Sequence, residues 1–293
     1  MLHERATARS LGLLRVAVFT LWLGDILLDP IEDLAHLPRS LFEPLGLLHL
    51  VPAGAWPSLL QPVPLLFLKL VLLGLLVPLV LGRGPYRVLA VTTALLLAFW
   101  QGLSRSMLGV VHREMALLYV TFVVALAPAA DAVVFGRRRA AGPGDAGGEG
   151  DAACRAALMT ATLVFALTYV AVGVRRVIHG GPGIFFDGTI LRYLVVRSAE
   201  PGWWERGAGL LVQGHPWLAW LVQLAFPVVT LAEVLSPLVL FSRPFRWAWV
   251  VVIVSFHLAS WATMQIFFLQ NLLILPFLLH EWAPARNGQD PAR

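Results

Sequence analysis

The sequence predicts an all-α protein: a polytopic transmembrane bundle of about seven to eight helices, with amphipathic segments at the membrane interface. Three observations carry this reading. Hydrophobic residues fill 58% of the 293 positions and charged residues only 13%, where a globular chain carries roughly a quarter. The apolar residues gather into runs of about 17–25, the length at which a helix crosses a hydrocarbon core of roughly 30 Å. Within the runs polarity does not alternate, as at Val71-Leu72-Leu73-Gly74-Leu75-Leu76-Val77. A transmembrane barrel, whose strands alternate over about ten residues, is thereby excluded.

The first helix is expected over 11–28, ending at Asp29-Pro30 because proline cannot continue the ladder. Arg5 and Arg9 precede it as in a signal peptide, but no small-residue cleavage site follows, so it reads as a retained helix. An acidic connection with Glu32, Asp33 and Glu43 leads to an apolar stretch over 45–56, too short to span and placed at the interface. A second helix is expected over 63–81. Gly82-Arg83-Gly84-Pro85 then turns into a third over 86–103, antiparallel to the second because the loop is short.

The fourth helix is expected from His112 to about Val134. Arg137-Arg138-Arg139 and a polar stretch follow, so residues 136–152 read as a flexible loop joining two halves, 1–135 and 153–285, of one membrane domain. The fifth helix is expected over 156–174, stopped by Arg175-Arg176, and the mixed segment 177–215 as amphipathic pieces over one mouth of the bundle. The sixth is expected over 217–241 with Pro227 and Pro237 inside it. The final apolar stretch, 247–279, is uncharged and too long for one upright helix, and divides near Met264-Gln265. Residues 286–293 form a polar tail.

The net charge of +5 comes almost wholly from arginine, since Lys69 is the only lysine among 22 basic residues. In a membrane protein such charge reports topology, so nucleic-acid binding is not implied. Arg83, Arg87, Arg137, Arg138, Arg139, Arg243 and Arg246 share a side with both termini, which places the termini in the cytoplasm. Arg39, Arg105, Arg113, Arg175, Arg176, Arg192, Arg197 and Arg206 fall opposite, five of them at or beyond the end of the fifth helix. Arginine, alanine and glycine richness suggests a GC-rich bacterial genome, and hence a bacterial inner membrane. Cys154 is the only cysteine, so no intramolecular disulfide or cysteine metal cluster forms. No metal ligand and no cofactor is assigned.

Ionisable groups at bilayer depth cost a few kcal/mol each, about 2.5–3.5 on insertion scales. Arg15 and Lys69 lie near helix ends and are expected to snorkel outward, and Asp25 lies near the far end of its helix. His112, at the mouth of the fourth helix beside Arg113-Glu114, Glu233 between two prolines, and His257 in an uncharged stretch are the catalytic candidates. Glu233 and His257 have the alternative of a structural pairing, carboxylate to imidazole or to a hydroxyl. Gln223, Gln265, Gln270 and Asn271 are expected to bond helix to helix. Trp203, Trp204, Trp217, Trp220 and Trp247 are expected to mark the interface. Arg175, Arg176 and His179, beside Gly180 to Gly183, form a basic patch that holds a lipid headgroup or quinone oxygen, or else simply closes the helix among headgroups.

Thr168-Tyr169-Val170-Ala171-Val172-Gly173-Val174-Arg175-Arg176 and, downstream, Ser255-Phe256-His257-Leu258 resemble the membrane domain of vitamin K-dependent gamma-carboxylases and their bacterial relatives, the HTTM family. The resemblance extends over about residues 10–280 and implies a multi-helix membrane fold, with His112 and His257 at the family's histidine positions. In the carboxylases the basic pair is Lys-Lys and a lysine amine is the base toward reduced vitamin K. Here both positions are arginine, and a guanidinium stays protonated, with a pKa above about 12. Gamma-carboxylation is therefore not expected. Three functions remain: an HTTM-type protein binding a quinone or lipid-type ligand near His112, Arg176, Glu233 and His257; a non-catalytic scaffold with a membrane-protein partner; and a small-molecule transporter.

Overall fold

The computed structural model describes residues 2–108, 114–128, 148–185, 187–188, 214–264 and 268–279. Among them there is no strand. The helices of eleven residues or more are α1 Leu2–Leu28, α2 Pro62–Val80, α3 Tyr86–Leu108, α4 Met115–Leu126, α5 Gly148–Gly180, α6 Pro216–Val234, α7 Arg243–Met264 and α8 Leu269–Leu279. The described chain is thus the all-α polytopic bundle that the apolar runs predict. Among the described residues six stretches are long and apolar enough to cross a membrane: Ala8–Leu28, Pro62–Val80, Tyr86–Met107, Ala152–Gly180, Pro216–Val234 and Arg243–Ala262. The division of 247–279 holds, because α7 ends at Met264 and α8 begins at Leu269.

Several boundaries differ from the sequence expectation: α1 begins at Leu2, and α5 at Gly148, so residues 148–152 of the expected flexible loop are helical. α4 ends at Leu126 and not near Val134, because Pro128 drives the residue before it out of the helical region: Ala127 has φ −63 and ψ 158. His112 and Arg113 lie outside the described residues, as do 129–147 and most of the segment 177–215. α5 runs through Arg175-Arg176, since arginine is a good helix former and suits the negative C-terminal end. It stops at Gly181, whose φ of +62 suits glycine and whose N–H donates to the Val177 carbonyl at 2.9 Å. α7 begins at Arg243, where the Ser242 hydroxyl accepts from the Phe245 N–H at 3.3 Å.

α6 also differs, ending at Val234 before a 3₁₀ turn at Ser236–Leu240. Pro237 has no N–H to offer the Glu233 carbonyl four residues back, and its ring crowds that oxygen. The Ser236 hydroxyl serves it instead, lying 2.7 Å from both the Glu233 and the Ala166 carbonyl oxygens.

The chain divides into two compact units, Met1–Ala161 with Leu273–Arg293, and Thr162–Leu272. In the first, α1 packs against α2 and α4, α2 against α3, and α3 against α4. Its core holds the fully buried Phe19, Trp22, Leu72, Leu76, Leu97 and Trp100. The Trp22 indole donates to Thr121 Oγ1 at 2.7 Å, and Thr121 donates onward to the Leu117 carbonyl at 2.7 Å. α1 and α4 are thereby joined by a bond that water does not compete for.

Arg15 and Lys69 do not snorkel. Arg15 is 3% exposed and its guanidinium lies 4.6 Å from the centre of the Tyr86 ring, whose negative face attracts it. Lys69 Nζ donates to the Asp29 carbonyl at 2.7 Å and sits 3.5 Å from Glu32. The terminal carbonyls of α1 lack helical partners and carry its negative end, so they offer the ammonium a nearer site than the headgroups do.

In the second unit, α7 packs on α6 and on the 3₁₀ turn that follows it, and a turn at Pro182–Phe185 packs on α6. The Gln223 amide donates to the Phe185 carbonyl, fixing that turn. Trp217, Trp220 and Trp247 are more than half exposed, whereas Trp249 is 2% exposed. Trp203 and Trp204 lie outside the described residues.

Candidate functional site

The second unit contains a polar cluster built on helical periodicity. Tyr169, Gly173 and Arg176 follow one another on α5 at spacings of four and three, so they share a face. Phe226, Thr230 and Glu233 do the same on α6, and Trp249, Ile253, His257 and Ser260 on α7. Each face is otherwise apolar, so its polar members must satisfy one another.

Gly173 lets α5 and α6 come together. A Cβ placed there would lie 3.0 Å from Glu233 Cβ, 3.0 Å from Val234 Cγ2 and 3.2 Å from the Thr230 carbonyl oxygen. One turn further on, Arg176 reaches Glu233 as a fork: Nη1 to Oε2 at 2.6 Å and Nη2 to Oε1 at 3.3 Å. Nη1 also donates to Thr230 Oγ1 at 2.9 Å. The Glu233 side chain is 2% exposed and that of Arg176 16%. The guanidinium lies 4.8 Å from the Phe226 ring centre and 6.0 Å from that of Phe256. A charge pair so placed needs both members and the extra hydroxyl to offset desolvation.

The basic patch of Arg175, Arg176 and His179 is therefore split. Successive helical residues point about 100° apart, so Arg175 and His179, four apart, share an exposed face while Arg176 turns inward. The pairing of Glu233 with His257 that the sequence leaves open is also not the one formed. Glu233 goes to arginine, and His257 Nε2 lies 2.9 Å from the Tyr169 hydroxyl in a buried contact.

Around that contact the walls are aromatic. Tyr169 stands edge-on to Trp249 at 5.4 Å between ring centres and tilted against Phe165 at 5.3 Å. Phe268 lies 4.7 Å from the His257 ring. The Asn271 side chain is within hydrogen-bonding reach of the Tyr169 hydroxyl. Yet among the described residues His257 Nδ1, Ser260 Oγ and Asn271 Oδ1 are buried without a hydrogen-bond partner. Their residues are 3%, 3% and 5% exposed. Each such orphan costs about 1–3 kcal/mol, and a buried polar group without a partner calls for an explanation.

Comparison with protein-family models, curated proteins and solved structures returns no match. The cluster must then be read from its own chemistry. If Tyr169 donates to His257 Nε2, the neutral ring carries its proton on Nδ1 and offers a donor; if Nε2 donates, Nδ1 is an acceptor. Asn271 Oδ1 adds an acceptor and Ser260 Oγ serves as either. Among the described residues no set of three His, Cys, Asp or Glu side chains is placed to hold a metal ion.

Of the sequence candidates, Glu233, His257 and Arg176 meet in this cluster, Arg175 and His179 stand apart from it, and His112 lies outside the described residues. Thr230 and Ser260 escaped the sequence reading, although their spacing from Glu233 and His257 puts them on the same faces.

Proposed function

We propose that the chain is a multi-pass protein of the cell membrane, with both termini cytoplasmic, whose second unit binds a quinone-type or similar ring-bearing lipid ligand. The observation that carries this reading is the set of orphaned polar atoms on His257, Ser260 and Asn271, set among aromatic walls. A planar ring with oxygen substituents suits both features: its faces pack on Trp249, Tyr169 and Phe268, and its oxygens complete the buried hydrogen bonds. His257 is the group that orients a ligand oxygen. The Arg176–Glu233 pair fixes the neighbouring electrostatic field, since its net charge is zero but its dipole is rigidly aimed.

The HTTM resemblance belongs to this proposal. What supports it is that its two motif segments touch one another, through Tyr169 and His257. No lysine stands in the cluster, so the reading involves binding or redox chemistry of a quinone and no carboxylation base. The engaged fork of Arg176 favours one competing reading, a scaffold whose polar residues only join helices.

Calorimetric titration of the detergent-purified protein with decylubiquinone separates the two. The wild type is expected to bind, and His257→Leu or Tyr169→Phe to weaken binding about tenfold, the loss of one buried hydrogen bond. Absence of binding by folded wild type, or equal binding by both variants, favours the scaffold.

A further inference from the structure

The hydrogen bonds around Tyr169 run in one direction, and that direction limits what the cluster can take in. Among the described residues Asn271 Oδ1 is buried without a partner, so the Nδ2 end of the amide is the one within reach of the Tyr169 hydroxyl. An amide N–H donates and never accepts. The hydroxyl oxygen therefore receives a bond from Asn271, and its own proton has to find another acceptor. His257 Nε2 lies 2.9 Å away, and among the described residues the hydroxyl has no other acceptor.

With the ring proton on Nε2 instead, the Tyr169 oxygen would face two donors and its own O–H would be left unmet. Tyr169 is 5% and His257 3% exposed, and an unmet donor is costly in such surroundings. The bonds thus run from Asn271 Nδ2–H to the Tyr169 hydroxyl and from that hydroxyl to His257 Nε2. They fix the neutral imidazole with its proton on Nδ1. Three groups are left to be met: a donor at His257 Nδ1–H, an acceptor at Asn271 Oδ1, and the Ser260 hydroxyl, which serves as either.

A ring whose oxygens are all carbonyls or ethers answers His257 and Ser260 but leaves Asn271 Oδ1 unmet, because such oxygens only accept. A hydroxyl both accepts and donates. We propose that the ligand of this site is a ring-bearing lipid with a free hydroxyl, a phenol-type head, and that Asn271 selects it. Oδ1 accepts from the ligand hydroxyl, while Nδ2, acting through Tyr169, holds His257 as a donor toward a ligand oxygen. Asn271 is thus a ligand contact through one atom and a positioning residue through the other. This rests on the reading of the cluster as a ring-lipid site and adds the polarity that the ligand must carry.

The test uses the full chain in phosphatidylcholine nanodiscs, with the signal of empty discs subtracted. The probes are para-heptyloxyphenol and its methyl ether, which differ by one O–H donor, and decylubiquinone, whose oxygens only accept. The phenol is expected to bind about tenfold tighter than the ether, the worth of one buried hydrogen bond, and Asn271→Leu to bind the two alike. Nitrogen NMR spectra of protein labelled in its histidine rings, with His257→Leu to assign the signal, are expected to place the proton on Nδ1 in the wild type. In Asn271→Leu they are expected to show mixed tautomers, a change that loss of packing alone would not produce. The wild-type measurements decide the matter even where Asn271→Leu does not fold. Phenol binding no tighter than ether binding, or a His257 ring protonated on Nε2, overturns the proposal, and the ring-lipid reading then stands if decylubiquinone binds. Folded wild type that binds none of the three probes overturns both.

Discussion

Glu233→Ala is expected to destabilise the protein by about 3 kcal/mol, because it leaves the Arg176 guanidinium opposite no charge in a largely buried setting. The partial exposure of Arg176 lets water reach one side and keeps the loss near the lower end of the usual range. Glu233→Gln retains hydrogen bonding without the charge and is expected to lose less. The double variant Arg176→Leu, Glu233→Leu removes both members and is expected to lie closer to wild type than either single change, since replacing a buried pair with apolar groups is often neutral. Thermal unfolding in detergent, arranged as a double-mutant cycle, reads the coupling directly. A double variant that loses the sum of the two single losses would show that the pair does not act as a unit.

Gly173→Val is expected to cost at least about 1–3 kcal/mol, the usual range for forcing atoms into a packed interface. The new Cβ meets Val234 Cγ2 and Glu233 Cβ at 3.0 Å and the Thr230 carbonyl oxygen at 3.2 Å. Val234 Cγ2 can turn aside, but Glu233 Cβ and a helical carbonyl are fixed by the backbone, so α5 and α6 must part. Gly173→Ala is expected to fall at the low end. Because the same separation lengthens the Arg176–Glu233 fork, Gly173→Val should also abolish the coupling measured above. A Gly173→Val protein with wild-type stability and intact coupling would mean that the helices are not in contact there.

The spans were legible because hydrophobic length is a one-dimensional property. Residues 63–81 read as a helix from composition alone, and no tertiary partner is needed to see it. Local punctuation was legible too, but competed with composition. Pro128 and Pro237 both carry a stop signal, and the apolar residues beyond each masked it. The pre-proline restriction and the lost amide then decided the boundary.

Partner choice was not legible. Periodicity places Glu233 and Thr230 on one face of α6 and Arg176 and Tyr169 on one face of α5, yet it does not say which faces meet. Glu233 and Arg176 are 57 positions apart, and Tyr169 and His257 are 88 apart. Arg15 shows the same limit. Its nearness to a helix end argues for reaching water, while the Tyr86 ring that holds it comes from another helix. Gly173 was visible only as a member of a motif, and its role follows from what stands within 4 Å of it.

The account rests on the orphaned polar atoms around His257 having a partner in the membrane. Mass spectrometry of the protein purified from its native membrane, released from detergent in the gas phase, tests this most directly. The wild type is expected to retain a quinone or comparable ring-bearing lipid at close to one per chain, and His257→Leu to lose it while remaining folded. A folded wild type that carries no such species, or a His257→Leu variant that carries as much, would contradict it.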